Sequence, residues 1–109
     1  MSCFRKLTLK SEFSNVYKHG KKWHSDGVVV FFKKGSEKKV GFTASKKVGN
    51  AVKRAQAKRR MRALFFENQE NLIDGIYVFV AKDRMSQMSY DELKRGTKWS
   101  LKRLECLTS

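Results

Sequence analysis

Proline is absent from this sequence of 109 residues, and cysteine (two), glycine (seven) and acidic side chains (ten) are scarce. With no Gly/Ser-rich linker, no internal repeat and loops of only a few residues, residues 1–109 read as one compact domain. Cys3 and Cys106 are too few and too far apart for a disulfide framework or a zinc cluster, so reduced thiols in the cytosol are expected. No run approaches the ~20 apolar residues of a membrane span, and the N-terminus lacks the apolar stretch of a signal peptide. The expected localisation is therefore cytoplasmic, with no membrane partner. HExxH, CxxC, phosphate-loop and nucleophile-elbow patterns are missing, and the acidic residues are dispersed. Accordingly no side chain is assigned to catalysis, none to a metal, and no small-molecule substrate is expected. His19 and His24 lack partners that would mark a general base.

What the chain has in excess is positive charge. Lysine and arginine number 25, leaving a net charge of +15, far beyond what solubility needs. A polyanion is the implied partner. With 40% hydrophobic and 12% aromatic residues a core can still form, so the charge decorates a folded scaffold.

Ser11 is the expected cap of a short helix bearing Phe13, Val16 and Tyr17 at helical spacing and ending at His19-Gly20. Lys22 to His24 and the β-branched, aromatic run Gly27 to Lys33 read as strands, followed by Lys39 to Ser45 as a third. These three are expected as an antiparallel meander, with Lys33 to Lys38 at the bend. Asn50 is the expected cap of the longest helix, running to about Gln69, with Ala57, Met61, Leu64 and Phe65 on its buried face. Asp74-Gly75 turns into a fourth strand, Ile76 to Ala81. Ser89 to Glu92 has capping-box spacing for a last helix buried along Tyr90, Leu93, Thr97, Leu101 and Leu104. The order α-β-β-β-α-β-α favours an α/β (α+β) two-layer sandwich on a four-stranded sheet, with a right-handed crossover as the general expectation.

The densest chemical signal is Lys46 to Arg62, KKVGNAVKRAQAKRRMR, with eight basic residues and no acidic one. Arg54, Lys58 and Arg62 follow one another at i, i+4 and i+8 with Arg59 beside them, forming a ridge whose self-repulsion is relieved by phosphates. A solvated face without a ligand, a membrane-surface helix and a calmodulin-type target are the competing readings. The flanking strands weigh against the last two, because they already occupy the helix's apolar side.

The segment Lys46-Lys47-Val48-Gly49-Asn50-Ala51-Val52, with Arg54, Lys58, Arg59 and Arg62 after it, resembles the signature of the bacterial ribonuclease P protein. The likeness extends to Glu12-Phe13 and Val16 to Gly20, to Val40-Gly41-Phe42, and to the basic last helix, covering nearly the whole chain. It implies a ribosomal protein S5 domain 2-like fold with a left-handed crossover through the basic helix. It also implies a ribonucleoprotein partner, the ribonuclease P RNA, which uses Mg²⁺ to remove the 5′ leader of precursor tRNA in tRNA processing. By the resemblance, Lys46, Lys47, Asn50, Lys53, Arg54, Lys58, Arg59 and Arg62 contact the catalytic RNA, while a cleft between the first helix and the sheet receives the leader. Phe13, Tyr17 and Phe31 are the cleft's aromatics, able to stack on unpaired bases or simply to fill the core, and Lys10, Lys18, Lys22 and Lys33 are candidate phosphate contacts. One departure stands out. The family usually has Arg-Asn-Arg where this chain has Arg54-Ala55-Gln56, which is expected to cost hydrogen-bond specificity on the RNA. A basic ribosomal or RNA-chaperone protein, and a protein nuclease with an unrecognised site, are the alternatives.

Overall fold

The computed structural model describes residues 4–108, so Cys3 lies outside the described residues. In chain order the elements are β1 (Arg5–Lys6), α1 (Lys10–His19), β2 (Lys21–His24), β3 (Val28–Lys34), β4 (Lys38–Ala44), α2 (Ala51–Asn68), β5 (Gly75–Ala81) and α3 (Tyr90–Arg103). They build one five-stranded sheet in the order β1-β4-β5-β3-β2. The four strands expected are all present. The fifth, β1, is a two-residue edge pairing parallel to β4 through Arg5↔Lys39 and Lys6↔Val40, too short and too charged to announce itself.

The meander is corrected. β2 and β3 do form an antiparallel hairpin, but β5 inserts between β3 and β4, running antiparallel to the first and parallel to the second. The reason lies in β5 itself, GIYVFVA, in which every residue is buried or half-buried. A strand apolar on both faces belongs at the centre of a sheet, with a partner on each edge. Its parallel pairing to β4 makes β4-α2-β5 the crossover unit, carried by the basic helix.

Alternate residues of the central strands feed two cores. Val28, Val30 and Phe32 of β3 with Tyr77, Phe79 and Ala81 of β5 meet Ala57, Met61, Leu64 and Phe65 of α2 and Leu93 and Leu101 of α3. On the other face Val78 packs with Leu7 and Val16, flanked by Phe13, Phe31, Ile76 and Val80. Thus α2 and α3 cover one face, while α1 alone lies on the other and leaves part of it open.

The caps follow sequence logic except in α1. Asn50 and Ser89 cap α2 and α3 as expected, Ser89 and Glu92 forming a capping box. Ser11, however, lies inside α1. The N-cap is Leu9, which has no side-chain acceptor; its carbonyl accepts from the Glu12 N–H at 3.1 Å, and Glu12 reaches back so that the Leu9 N–H donates to its Oε1 at 3.2 Å. Glu12 also accepts from Lys39 Nζ on β4, joining helix to sheet. Lys39 first and the Leu9 N–H second hold the Glu12 carboxyl below its ordinary value. Stability from a group whose pKa is depressed on folding is fully present above its unfolded value and is lost as pH falls through its folded value. Acid melts between roughly pH 5 and pH 3 should therefore destabilise the wild type more steeply than Glu12→Gln. Equal slopes would show that the Glu12–Lys39 contact does not hold α1 down.

Candidate nucleic-acid interface

The basic stretch begins where β4 ends. Ser45 Oγ accepts from the Lys47 N–H at 3.3 Å, opening one 3₁₀ turn over Lys46–Val48 that is anchored by buried Val48. Gly49 follows at φ 142°, a backbone conformation that favours glycine. Asn50 Oδ1 then accepts from the Lys53 N–H at 3.0 Å, committing that oxygen to the start of α2.

Along α2, Lys53, Lys58, Arg59 and Arg62 are exposed and Arg54 is half-buried. Lys46 and Lys47 are exposed beside the helix start. The Arg62 guanidinium lies 5.8 Å from the Phe42 ring centroid, which restrains one cation against the sheet. Arg60 has a different task. Its Nη1 and Nη2 donate to the Met85 and Met88 carbonyls at 2.9 and 2.6 Å, tying α2 to the turn before α3. The helical wheel carries the signal for this, since position 60 adjoins the apolar positions 57, 61 and 64. Of the departing pair, Ala55 is exposed, whereas Gln56 borders a crevice shared with Lys53, Arg60 and Met85.

Among the described residues the ion pairs are Lys38 with Asp74, Lys39 with Glu12 and Glu37, and Lys94 with Glu67. None involves the stretch 46–62. Lys53 and Arg54 moreover stand in the first turn of α2, where no acidic residue offsets the positive end of the helix dipole. Like charges there cost a few tenths of a kcal/mol per neighbouring pair, which an external anion reverses.

The aromatic triplet comes together on the opposite face. Tyr17 meets Phe31 edge-on at 4.8 Å between centroids and lies 6.5 Å from Phe13. Tyr17 is 41% exposed, while Phe13 and Phe31 are half-buried, so the rings support α1 and still present faces to solvent. Phe13 reaches Gly41, where a Cβ would stand 2.5 Å from its Cε1. Lys22 is the cross-strand partner of Phe31 and is exposed, and Lys33 follows two residues along β3 on the same face. Lys10 precedes Tyr17 by two helical turns on the same side of α1, and Lys18 lies one residue farther round, both exposed.

Sequence reading missed the floor beside these rings. Register places Thr43, Val80, Val29 and His24 in one row across β4, β5, β3 and β2, on the face that carries α1. Alternation within each strand held the information, but only the strand order assembles the row. His24 is held below its ordinary pKa by desolvation first, then by Lys82 and Lys22, which favours its neutral form. This row lies at the end of the sheet where β4 passes into Lys46, so the shelf and the start of the basic stretch are neighbours.

Among the described residues no three His, Cys, Asp or Glu side chains come together. Among the described residues no helix is long and apolar enough to cross a membrane.

Comparison with known proteins bears on this geometry. The family model described as Ribonuclease P matches residues 1–105. The ribonuclease P protein component of a Nitratiruptor species is 39% identical over 99 residues, covering 91% of each chain. The RNase P protein from Thermotoga maritima superposes with a TM-score of 0.79 at 24% identity, over 91% of this chain and 96% of that one. A Staphylococcus aureus RNase P protein mutant described as defective in mRNA degradation activity superposes with a TM-score of 0.85 at 22% identity, over 94% and 89%. At those identities the two structures attest the shared fold alone.

Proposed function

This chain belongs to the ribonuclease P protein family, and on that premise we propose that it acts by binding, holding the catalytic RNA on one surface and the precursor's 5′ leader on another. The observation that carries this reading is that the unneutralised basic segment starts at the end of the sheet marked by the row Thr43, Val80, Val29 and His24, which borders the partly exposed rings on the α1 face. Lys46, Lys47, Lys53, Arg54, Lys58, Arg59 and Arg62 supply the phosphate contacts to folded RNA. Tyr17, Phe31 and Phe13 stack on unpaired leader bases, and Lys10, Lys18, Lys22 and Lys33 hold the leader's phosphates. Stacking tolerates any base, as a site that must accept many leaders requires. Hydrolysis, with its Mg²⁺, falls to the RNA subunit, as the family resemblance implies. A cytoplasmic location goes with this reading of its partners. The ribosomal and chaperone alternative is not favoured by the family match.

The discriminating measurement is affinity of the reconstituted holoenzyme for precursor tRNA with a leader and for mature tRNA. Replacing Tyr17 and Phe31 by alanine should weaken binding of the precursor by roughly 5- to 150-fold, the equivalent of about 1–3 kcal/mol for one lost stack, and leave mature tRNA almost unaffected. Equal weakening of both ligands would remove the leader from this shelf.

A further inference from the structure

The sequence contains two tryptophans, and the fold brings both together between β2 and α3, on the sheet face opposite α1. Trp23 points to the α3 side of β2, and Trp99 stands on the outer side of α3, 52% exposed. The Arg103 guanidinium lies between them, 4.8 Å from the Trp23 ring centroid and 5.7 Å from that of Trp99. Beside the indoles a cavity of about 550 Å³ opens between the β2–β3 loop and α3. Arg95 stands one turn before Trp99 on α3, and Lys102 and Arg103 one turn after it, all three exposed.

We propose that this patch is a second contact site for single-stranded RNA, taking one unpaired base against the indoles and its neighbouring phosphates on Arg95, Lys102 and Arg103. A half-exposed flat ring beside guanidinium groups is the arrangement that stacks on a base. Duplex RNA does not fit, because its bases are not free to enter the cavity. Asp26 and Glu92 also line the cavity and repel phosphate, which favours a nucleotide whose backbone runs toward Lys102 and Arg103. Its base-stacking and phosphate-binding side chains, Trp23, Trp99, Arg95, Lys102 and Arg103, are none of those assigned to the leader, although His24 borders both places.

Because both tryptophans lie in the patch, intrinsic tryptophan fluorescence reports on it directly. Full-length protein in which Tyr17 and Phe31 are alanine, so that the α1 shelf is disabled, is titrated with an oligoadenylate of about ten nucleotides, a length that suits a single-stranded site. Saturable quenching is expected, weakening as salt is raised, with little quenching by a duplex of the same length. Trp99→Ala, read through Trp23, should weaken the oligonucleotide about tenfold while leaving the melting temperature nearly unchanged. No quenching at concentrations where anisotropy shows the oligonucleotide bound, equal quenching by duplex, or unchanged affinity in Trp99→Ala would each overturn the proposal.

Discussion

Replacing Lys58, Arg59 and Arg62 together by alanine is expected to weaken binding to a bacterial ribonuclease P RNA by about 100-fold, taking about 1 kcal/mol for each phosphate contact removed. The slope of log affinity against log salt should fall by about 2.7, or 0.9 for each phosphate no longer neutralised. Thermal stability should stay nearly level, since alanine's helix preference and the relief of like-charge repulsion along the ridge offset the lost contact between Arg62 and the Phe42 ring. Arg60→Ala should do the converse. It strands the Met85 and Met88 carbonyls that its guanidinium satisfies, and is expected to cost about 1–3 kcal/mol of stability while changing the salt slope little. Filter-binding titrations at several salt concentrations, beside thermal melts, separate the two. Were Arg60 to dominate binding and the exposed three to dominate folding, the two faces of α2 would have been assigned in reverse.

Gly41→Val is the second large effect. The position lies under the Phe13 ring, with Leu7 Cβ another 3.2 Å contact for any added Cβ. A branched side chain must lift Phe13, and with it the start of α1, off β4. The expected cost is about 1–3 kcal/mol, or a drop of several degrees in melting temperature for a chain this size. Functionally the variant should lose discrimination between precursor and mature tRNA, because the shelf's wall has moved, while catalytic-RNA affinity through α2 persists. A Phe13→Ala change in the same chain should restore part of the lost stability by vacating the clash. Failure of that rescue would mean Gly41 matters for some reason other than close approach.

These outcomes rest on features that differ in how far the sequence shows them. The α2 face was legible because Ala57, Met61, Leu64 and Phe65 recur at helical spacing within a segment free of glycine and proline, and Asn50 marks its start. The basic ridge was legible for the same reason, being local to one helix. Sheet order was not, since the position of β5 between β3 and β4 depends on which apolar faces find each other across 30 residues or more. Nor was β1, two charged residues held only by their partner strand. The site divides along the same line. Tyr17 and Phe13 share a helix and could be paired from spacing, but the floor of Thr43, Val80, Val29 and His24 comes from four strands and exists only once register is set. The α1 cap misled because Ser11 is a better capping residue than Leu9 by type, whereas Glu12, tied to both Leu9 and Lys39, fixes where the helix begins.

The central claim is that this chain binds RNA and that the RNA performs the chemistry. Single-turnover cleavage of a leader-bearing precursor tRNA, measured at low Mg²⁺ with bacterial ribonuclease P RNA alone, with the protein alone and with both, tests it most directly. The expected result is efficient removal of the leader only when both are present, a lower Mg²⁺ requirement than the RNA shows by itself, and no specific cut by the protein. Reproducible cleavage at the mature 5′ end by RNA-free protein, or an RNA whose Mg²⁺ dependence is unmoved by the protein, would contradict it.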